Sequence, residues 1–168
     1  MRELWEQHDV WTRLTIESIV FRLPDERFVI SRLLRNPEDF AQALRPFYGR
    51  RIAGQFALLL TDHLVIAAEL VQAAQAGDAR RVAELERRWF QNARDIAAFF
   101  AKINPFWSER RWREMLFDHL RLVQTEAVQM LQGMYQASID TYDQVEAQSL
   151  EMADEMWRGI VRQFPRRF

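Results

Sequence analysis

The chain contains no cysteine. Disulfides, thiolate metal sites and cysteine nucleophiles are therefore excluded. Glycine and proline number only five each in 168 residues, too few for a turn-rich β protein. The net charge is −1, so no general field draws nucleic acid or anionic lipid. Unbroken apolar stretches, such as Leu64 to Ala68, are too short to span a bilayer. The opening Met1-Arg2-Glu3-Leu4-Trp5-Glu6 is too charged for the apolar core of a signal segment. These absences predict a cytoplasmic protein with neither a membrane nor a nucleic-acid partner. Catalytic motifs are missing as well. There is no glycine-rich phosphate loop, no Gly-x-Ser-x-Gly elbow, no His-Glu-x-x-His and no Glu-x-x-His pair.

What the chain does have is apolar surface and helical period. Apolar residues make up 49%, with six Trp and twelve Phe, enough for one domain spanning residues 1–168. Periodicity of the 3.6 type predicts an all-α antiparallel bundle of about six helices in three hairpin-like units. Helices are expected over Glu3–Arg22, Glu26–Arg35, Arg50–Ala76, Ala79–Ile103, from Ser108 to about Gly133, and Tyr135–Gln163, with a short one over Pro37–Phe47. Leu23-Pro24, Asn36-Pro37 and Asn104-Pro105 are read as stops. Gly77 suits a C-terminal helix cap, and Asp78 and Ser108 suit N-caps.

An internal repeat supports the hairpins. Phe56, Leu59, Leu60, Asp62-His63-Leu64 and Gly77 match Trp112, Met115, Leu116, Asp118-His119-Leu120 and Gly133, each pair offset by 56. Leu4, Trp5 and His8 join the pattern more loosely. His63 and His119 each stand 14 residues before a glycine turn, and His8 stands 15 before Leu23. Each histidine is then about 21 Å from its turn. Hairpins packed with the same sense would put all three imidazoles in one layer.

The helical stripes turn these rings inward. His8 shares its face with Leu4, Trp5, Trp11 and Thr15. His63 lies with Leu59, Leu60, Ile66 and Leu70, and His119 with Met115, Leu116, Leu122 and Val123. The return helices offer polar groups at similar height: Asn92 on one, and Tyr142, Asp143 and Glu146 on the other. Glu126 lies seven residues beyond His119. A buried polar layer must be paired, hydrated or gathered around a ligand.

Three neutral imidazoles with an oxygen donor suit Zn, Cu or Fe, and haem between helices is a further possibility. The candidate metal ligands are His8, His63 and His119, completed by Glu146 or Asp143, with Asn92, Trp11 and Tyr142 around a bound cofactor. An open coordination position would activate water or oxygen. The alternative is a bundle without catalysis, binding a small molecule or forming a homodimer, with a structural histidine layer. A pH-responsive bundle is the third reading. Asp62 and Asp118, adjacent in sequence to their histidines, point about 100° away and are poor co-ligands.

Several segments carry a family resemblance: Leu4-Trp5-Glu6-Gln7-His8, Arg32-Leu33-Leu34-Arg35-Asn36-Pro37, Pro46-Phe47-Tyr48-Gly49, Asp62-His63-Leu64, Ala76-Gly77-Asp78, Asn92 to Ala97 and Gln163-Phe164-Pro165. Together they resemble a family of small bacterial helical proteins, over nearly the whole chain. The family usually reads Asn-Ala-Asp where this chain has Asn92-Ala93-Arg94. The resemblance implies the all-helical fold. Some members carry an acetylglutamate kinase label, whereas amino-acid kinases of that type need strands and glycine-rich loops that this chain does not show.

Overall fold

The computed structural model describes residues 1–168. It is all-α, without a strand. Its helices are α1 (Arg2–Val20), α2 (Glu26–Leu33), α3 (Asn36–Gln75), α4 (Ala79–Ile103), α5 (Glu109–Leu131) and α6 (Tyr135–Gln163), followed by a short 3₁₀ turn over Pro165–Arg167. The expected break near Gly49 is present as a kink inside α3, where Gly49 takes φ +77°. Asn36-Pro37 does not close α2. It opens α3, because a proline in the first helical turn has no hydrogen bond to lose.

Helices α1, α3 and α5 end in the same way. Gly77 N–H donates to Ala74 O and Asp78 N–H to Ala73 O; Gly133 N–H donates to Met130 O and Met134 N–H to Gln129 O. This is the paired capping of a helix that leaves through a left-handed residue. α1 repeats it with Arg22 N–H on Ile19 O and Leu23 N–H on Ser18 O. Arg22, at φ +53°, stands where the others have glycine. The turn residue of α1 is thus Arg22 rather than Leu23, and the histidine-to-turn spacing becomes 14 in all three cases. The next helices start on side-chain caps: Asp78 accepts from Arg81 N–H at 3.0 Å and Ser108 from Arg111 N–H at 3.3 Å.

α3 packs on α4, α5 on α6, and α4 on α5, while α1 lies against α2, α3 and α6. One continuous apolar core of 33 buried residues joins them. The stretch Glu26–Gln75 contains a window long and apolar enough to cross a membrane by length and composition, which the short unbroken runs did not suggest. Much of that apolarity is core packing by Phe56, Leu60, Leu64 and Leu70.

At the end of the fold away from the glycine turns, Trp107 lies 5.1 Å from Phe100 and 6.0 Å from Trp112, ring centre to ring centre. Its Nε1–H donates to Glu155 O at 3.2 Å. The indole rests on Gly159 of α6, where any Cβ would overlap its nitrogen. A rigid ring held by three aromatic neighbours, the third being Tyr48 at 5.8 Å, has nowhere to go. Gly159→Ala is expected to cost about 1–3 kcal/mol. For a chain of this size that is a melting temperature lower by about 2–4 °C per kcal/mol, read by calorimetry; an unchanged transition would show that the Trp107 seat is not rigid.

Candidate metal centre

His8, His63 and His119 are each only 2% exposed, and the structure brings their rings together. Ring centres are 5.7 Å apart for His8 and His119 and 6.5 Å for His8 and His63. Each ring is held by a carboxamide on another helix. His8 Nδ1 lies 3.2 Å from Asn36 Oδ1, His63 Nδ1 2.8 Å from Asn92 Oδ1, and His119 Nδ1 3.2 Å from Gln148 Oε1. Each amide is itself oriented, since its NH₂ donates to the backbone carbonyl four residues before its histidine. Those bonds are Asn36 to Leu4 O at 3.0 Å, Asn92 to Leu59 O at 3.0 Å and Gln148 to Met115 O at 2.9 Å.

This relay determines the tautomer. With its NH₂ committed to a carbonyl, the amide presents oxygen to the ring, so Nδ1 carries the proton and donates. All hydrogen bonds of the three rings are made at Nδ1. The Nε2 lone pairs are left bare. Burial holds the rings neutral: it pushes His8 down to about 4 and His63, which also feels His8, to about 3, while His119 is driven well below its ordinary value by burial and then by both other rings.

A carboxylate joins the rings. One ligand atom each from His8, Asp9 and His119 lies within 4.8 Å of the others, so this buried group could hold a metal ion. Asp9 Oδ1 accepts from Ser149 Oγ–H at 2.9 Å, and that hydroxyl also lies 3.3 Å from His119 Nδ1. Asp9 Oδ2 has no partner. Burial, against the Ser149 bond, raises the Asp9 carboxyl to about 8. His63 stands outside the tight set but lines the same small cavity with His8, His119, Trp5, Phe56 and Phe100.

Several expected residues lie elsewhere. Glu146 and Asp143 are exposed, and this corrects their place as completing ligands. The buried stripe of α6 runs through Val145, Ser149, Met152 and Met156, so their side chains fall on the outer face. Trp11 is half-buried under the Arg32 guanidinium and Tyr142 under that of Arg13; neither lines the cavity. Asn92 is in place, as the partner of His63 rather than as a cofactor contact. Glu126 is buried and pairs with Arg13 at 2.6 Å.

Asp9, Asn36 and Gln148 are not among the candidate site residues read from the sequence. The signal for the two amides was present: Asn36, Asn92 and Gln148 are themselves spaced by 56. Compared with family models, curated proteins and solved structures, the chain finds no match in any of the three.

The neutral layer has a pH signature in the metal-free protein. Unfolded imidazoles protonate near 6.5, whereas folded His8 and His63 do so only near 4 and 3. The unfolded chain binds more protons between those values, so stability falls as pH drops from 6.5 through about 4, by up to about 1.4 kcal/mol per pH unit per ring. Asp9, raised to about 8, and Glu126 act oppositely. Burial outweighs Arg13 and raises the Glu126 carboxyl to about 7; its contribution is present below 4.5 and lost as pH rises through 7. Urea unfolding from pH 4 to 8 is expected to show the acid loss in wild type and in Glu126→Gln, with a shallower alkaline decline in the variant. Equal alkaline slopes would remove Glu126 as the cause.

Proposed function

We propose that the protein binds a divalent transition metal ion through the Nε2 atoms of His8 and His119 and the Asp9 carboxylate, with His63 as a further imidazole donor. The observation that carries this reading is the threefold relay that binds every Nδ1 and leaves every Nε2 free. A merely structural histidine layer would pair its second nitrogens. Here the hydrogen bonds of all three rings are made at Nδ1, none at Nε2, and the Asp9 Oδ2 atom is buried without a partner, at a cost that a cation would relieve. A relay that orients a ligand's other nitrogen is also what metal-binding imidazoles use.

The donor set fits the ion. Imidazole nitrogen with carboxylate oxygen, and no sulfur, suits Zn²⁺, Fe²⁺ or Cu²⁺. The cavity among the rings leaves about 10 Å³ for the centre of a water molecule to move in, room for an ion and not for a porphyrin, so haem is set aside. A metal held there would supply Lewis acidity toward a bound water or oxygen species. The chain's residues would hold it, exclude bulk water and fix the imidazole tautomers. We read the packing as three hairpins in common register, each contributing one histidine and one amide. The segments that resemble the small bacterial helical proteins contain His8, Asn36, His63 and Asn92, and the proposal extends to that family through them.

Metal analysis of untagged protein purified without chelator is expected to give near-stoichiometric metal, or uptake of one Zn²⁺, Fe²⁺ or Cu²⁺ per chain on titration. His119→Ala should abolish it. Asn92→Ala and Gln148→Ala should weaken it about 10- to 100-fold by freeing the ring tautomer. A folded protein that takes up none of these metals would overturn the reading.

A further inference from the structure

The net charge of −1 averages two unlike parts of the chain. Three stretches, residues 45–51, 99–113 and 154–168, hold eleven basic and three acidic side chains, and the rest holds twelve basic and 21 acidic. That is +8 against −9, so a molecule nearly neutral as a whole carries strong local charge of both signs. The fold gathers the three stretches at one end, away from the glycine turns. Tyr48 O–H donates to Gln163 Oε1 at 3.0 Å, Asn104 Nδ2–H donates to the Tyr48 oxygen at 2.9 Å, and Gln163 Nε2–H donates to Ile103 O at 3.1 Å. Phe47 packs on Phe164 with ring centres 5.6 Å apart. The kink of α3, the end of α4, the start of α5 and the end of α6 therefore form one basic end of the bundle.

Little there neutralises the charge. Asp154 and Glu155 are taken up by Arg2 and Arg158. Arg50 and Arg51 beyond the α3 kink, Lys102 near the end of α4 and Arg113 in the first turns of α5 make no ion pair. Neither do Arg162, Arg166 and Arg167. All seven are exposed. Among them stand three exposed rings, Phe106 at 40%, Trp157 at 42% and Phe168 at 59%. Phe106 and Trp157 line one open groove with Arg158 and Arg162.

We infer that this end docks on an anionic lipid surface, with the basic side chains on headgroup phosphates and the three rings at the boundary of the acyl chains. Each basic side chain near such a surface adds attraction, and Trp and Phe are side chains that settle at that depth. Arginine stems can lie along apolar surface while their heads stay at the phosphates. Two features favour a surface over a single strand of nucleic acid. The charges come from the ends of four helices, so they spread over one end of the bundle rather than along a track. A plane of headgroups meets all of them, whereas a strand meets only those on its path. The rings, moreover, already have neighbours against them. The Arg162 guanidinium sits 4.6 Å over Phe106, Phe168 stacks on Phe47 at 5.8 Å, and Trp157 meets Phe168 nearly at right angles at 4.7 Å. A base would have to displace these neighbours to stack, while an acyl boundary takes the exposed edges as they are. The acidic remainder of the molecule is repelled by the same surface, which sets the orientation. The inference is independent of the metal reading.

The test is co-sedimentation of the full chain with vesicles of phosphatidylcholine alone, or with about equal parts of phosphatidylglycerol, alongside tryptophan fluorescence. Trp157 is the exposed member of the six tryptophans. Docking is expected to shift its emission to the blue, and Trp157→Phe to remove that shift. Binding is expected on the anionic vesicles only and should weaken as salt rises. Arg162→Glu/Arg166→Glu/Arg167→Glu should weaken it at least about tenfold. Arg50→Ser/Arg51→Ser, on another helix, should act in the same direction, which a folding defect local to α6 would not produce. Arg80→Glu/Arg87→Glu/Arg88→Glu makes the same change of net charge at exposed positions of α4 away from this end and should bind as wild type does. No binding to anionic vesicles, equal binding to neutral ones, or equal loss in the two triple variants would overturn the inference. So would tighter binding to a single-stranded oligothymidylate than to the anionic vesicles.

Discussion

Three imidazoles are buried together without a cation's counter-charge, and the rest of the architecture follows from keeping them neutral. A protonated ring in this layer would face low dielectric and two further rings. Neutrality alone does not orient a ring, because either nitrogen can carry the proton. The amides settle that choice. Each stands between a ring and a main-chain carbonyl, so its oxygen and nitrogen cannot exchange roles without breaking a hydrogen bond at each end. The carbonyl belongs to the same helix as the histidine, one turn earlier. Each relay therefore ties two helices at the height of the ring and makes the tautomer depend on their register.

This explains why so much of the helix ends is alike. A relay works only if histidine and amide arrive at the same height, and the left-handed exits at Arg22, Gly77 and Gly133 measure the distance along each outgoing helix. From histidine to amide the chain takes 28 residues for His8 and 29 for His63 and His119. The first is reached by another route: α1 pairs with Asn36 at the head of α3, after the intervening α2. Arg22 accepts a conformation that disfavours a Cβ, consistent with a turn whose place is dictated by the layer rather than by local preference.

The all-helical class and the shared depth of the histidines were legible, because period and turn residues are local signals. Asn92 was legible as a polar break in an apolar stripe. Asn36 was not, because Asn-Pro reads as a stop, and the role it plays is set by a helix that begins there. Gln148 was hidden at the edge of its stripe: Ser149, Met152 and Met156 mark the buried face, Glu146 read with them is exposed, and Gln148 beside Ser149 is only half-buried, a position that periodicity over a mostly polar helix does not resolve. Applying the offset of 56 to Asn92 would have found both amides, since the repeat constrains positions that hydropathy leaves open.

Asp9 departs from the repeat, and its departure gives the site its chemistry. In α3 and α5 the aspartate precedes the histidine, and Asp62 and Asp118 are exposed. In α1 it follows. Residues at −1 and +1 project about 100° to either side of the histidine, so moving the carboxylate across the ring changes it from an outer group to an inner one. Adjacency is poor geometry for a co-ligand only on the wrong side. Three equivalent units would give a symmetric cluster of neutral nitrogens. The single exchange of order in α1 adds one ionisable oxygen, anchored by Ser149 of α6 with its other oxygen unpaired. A layer that satisfied only the fold would gain nothing from that atom; a layer that receives a cation gains the charge it otherwise lacks.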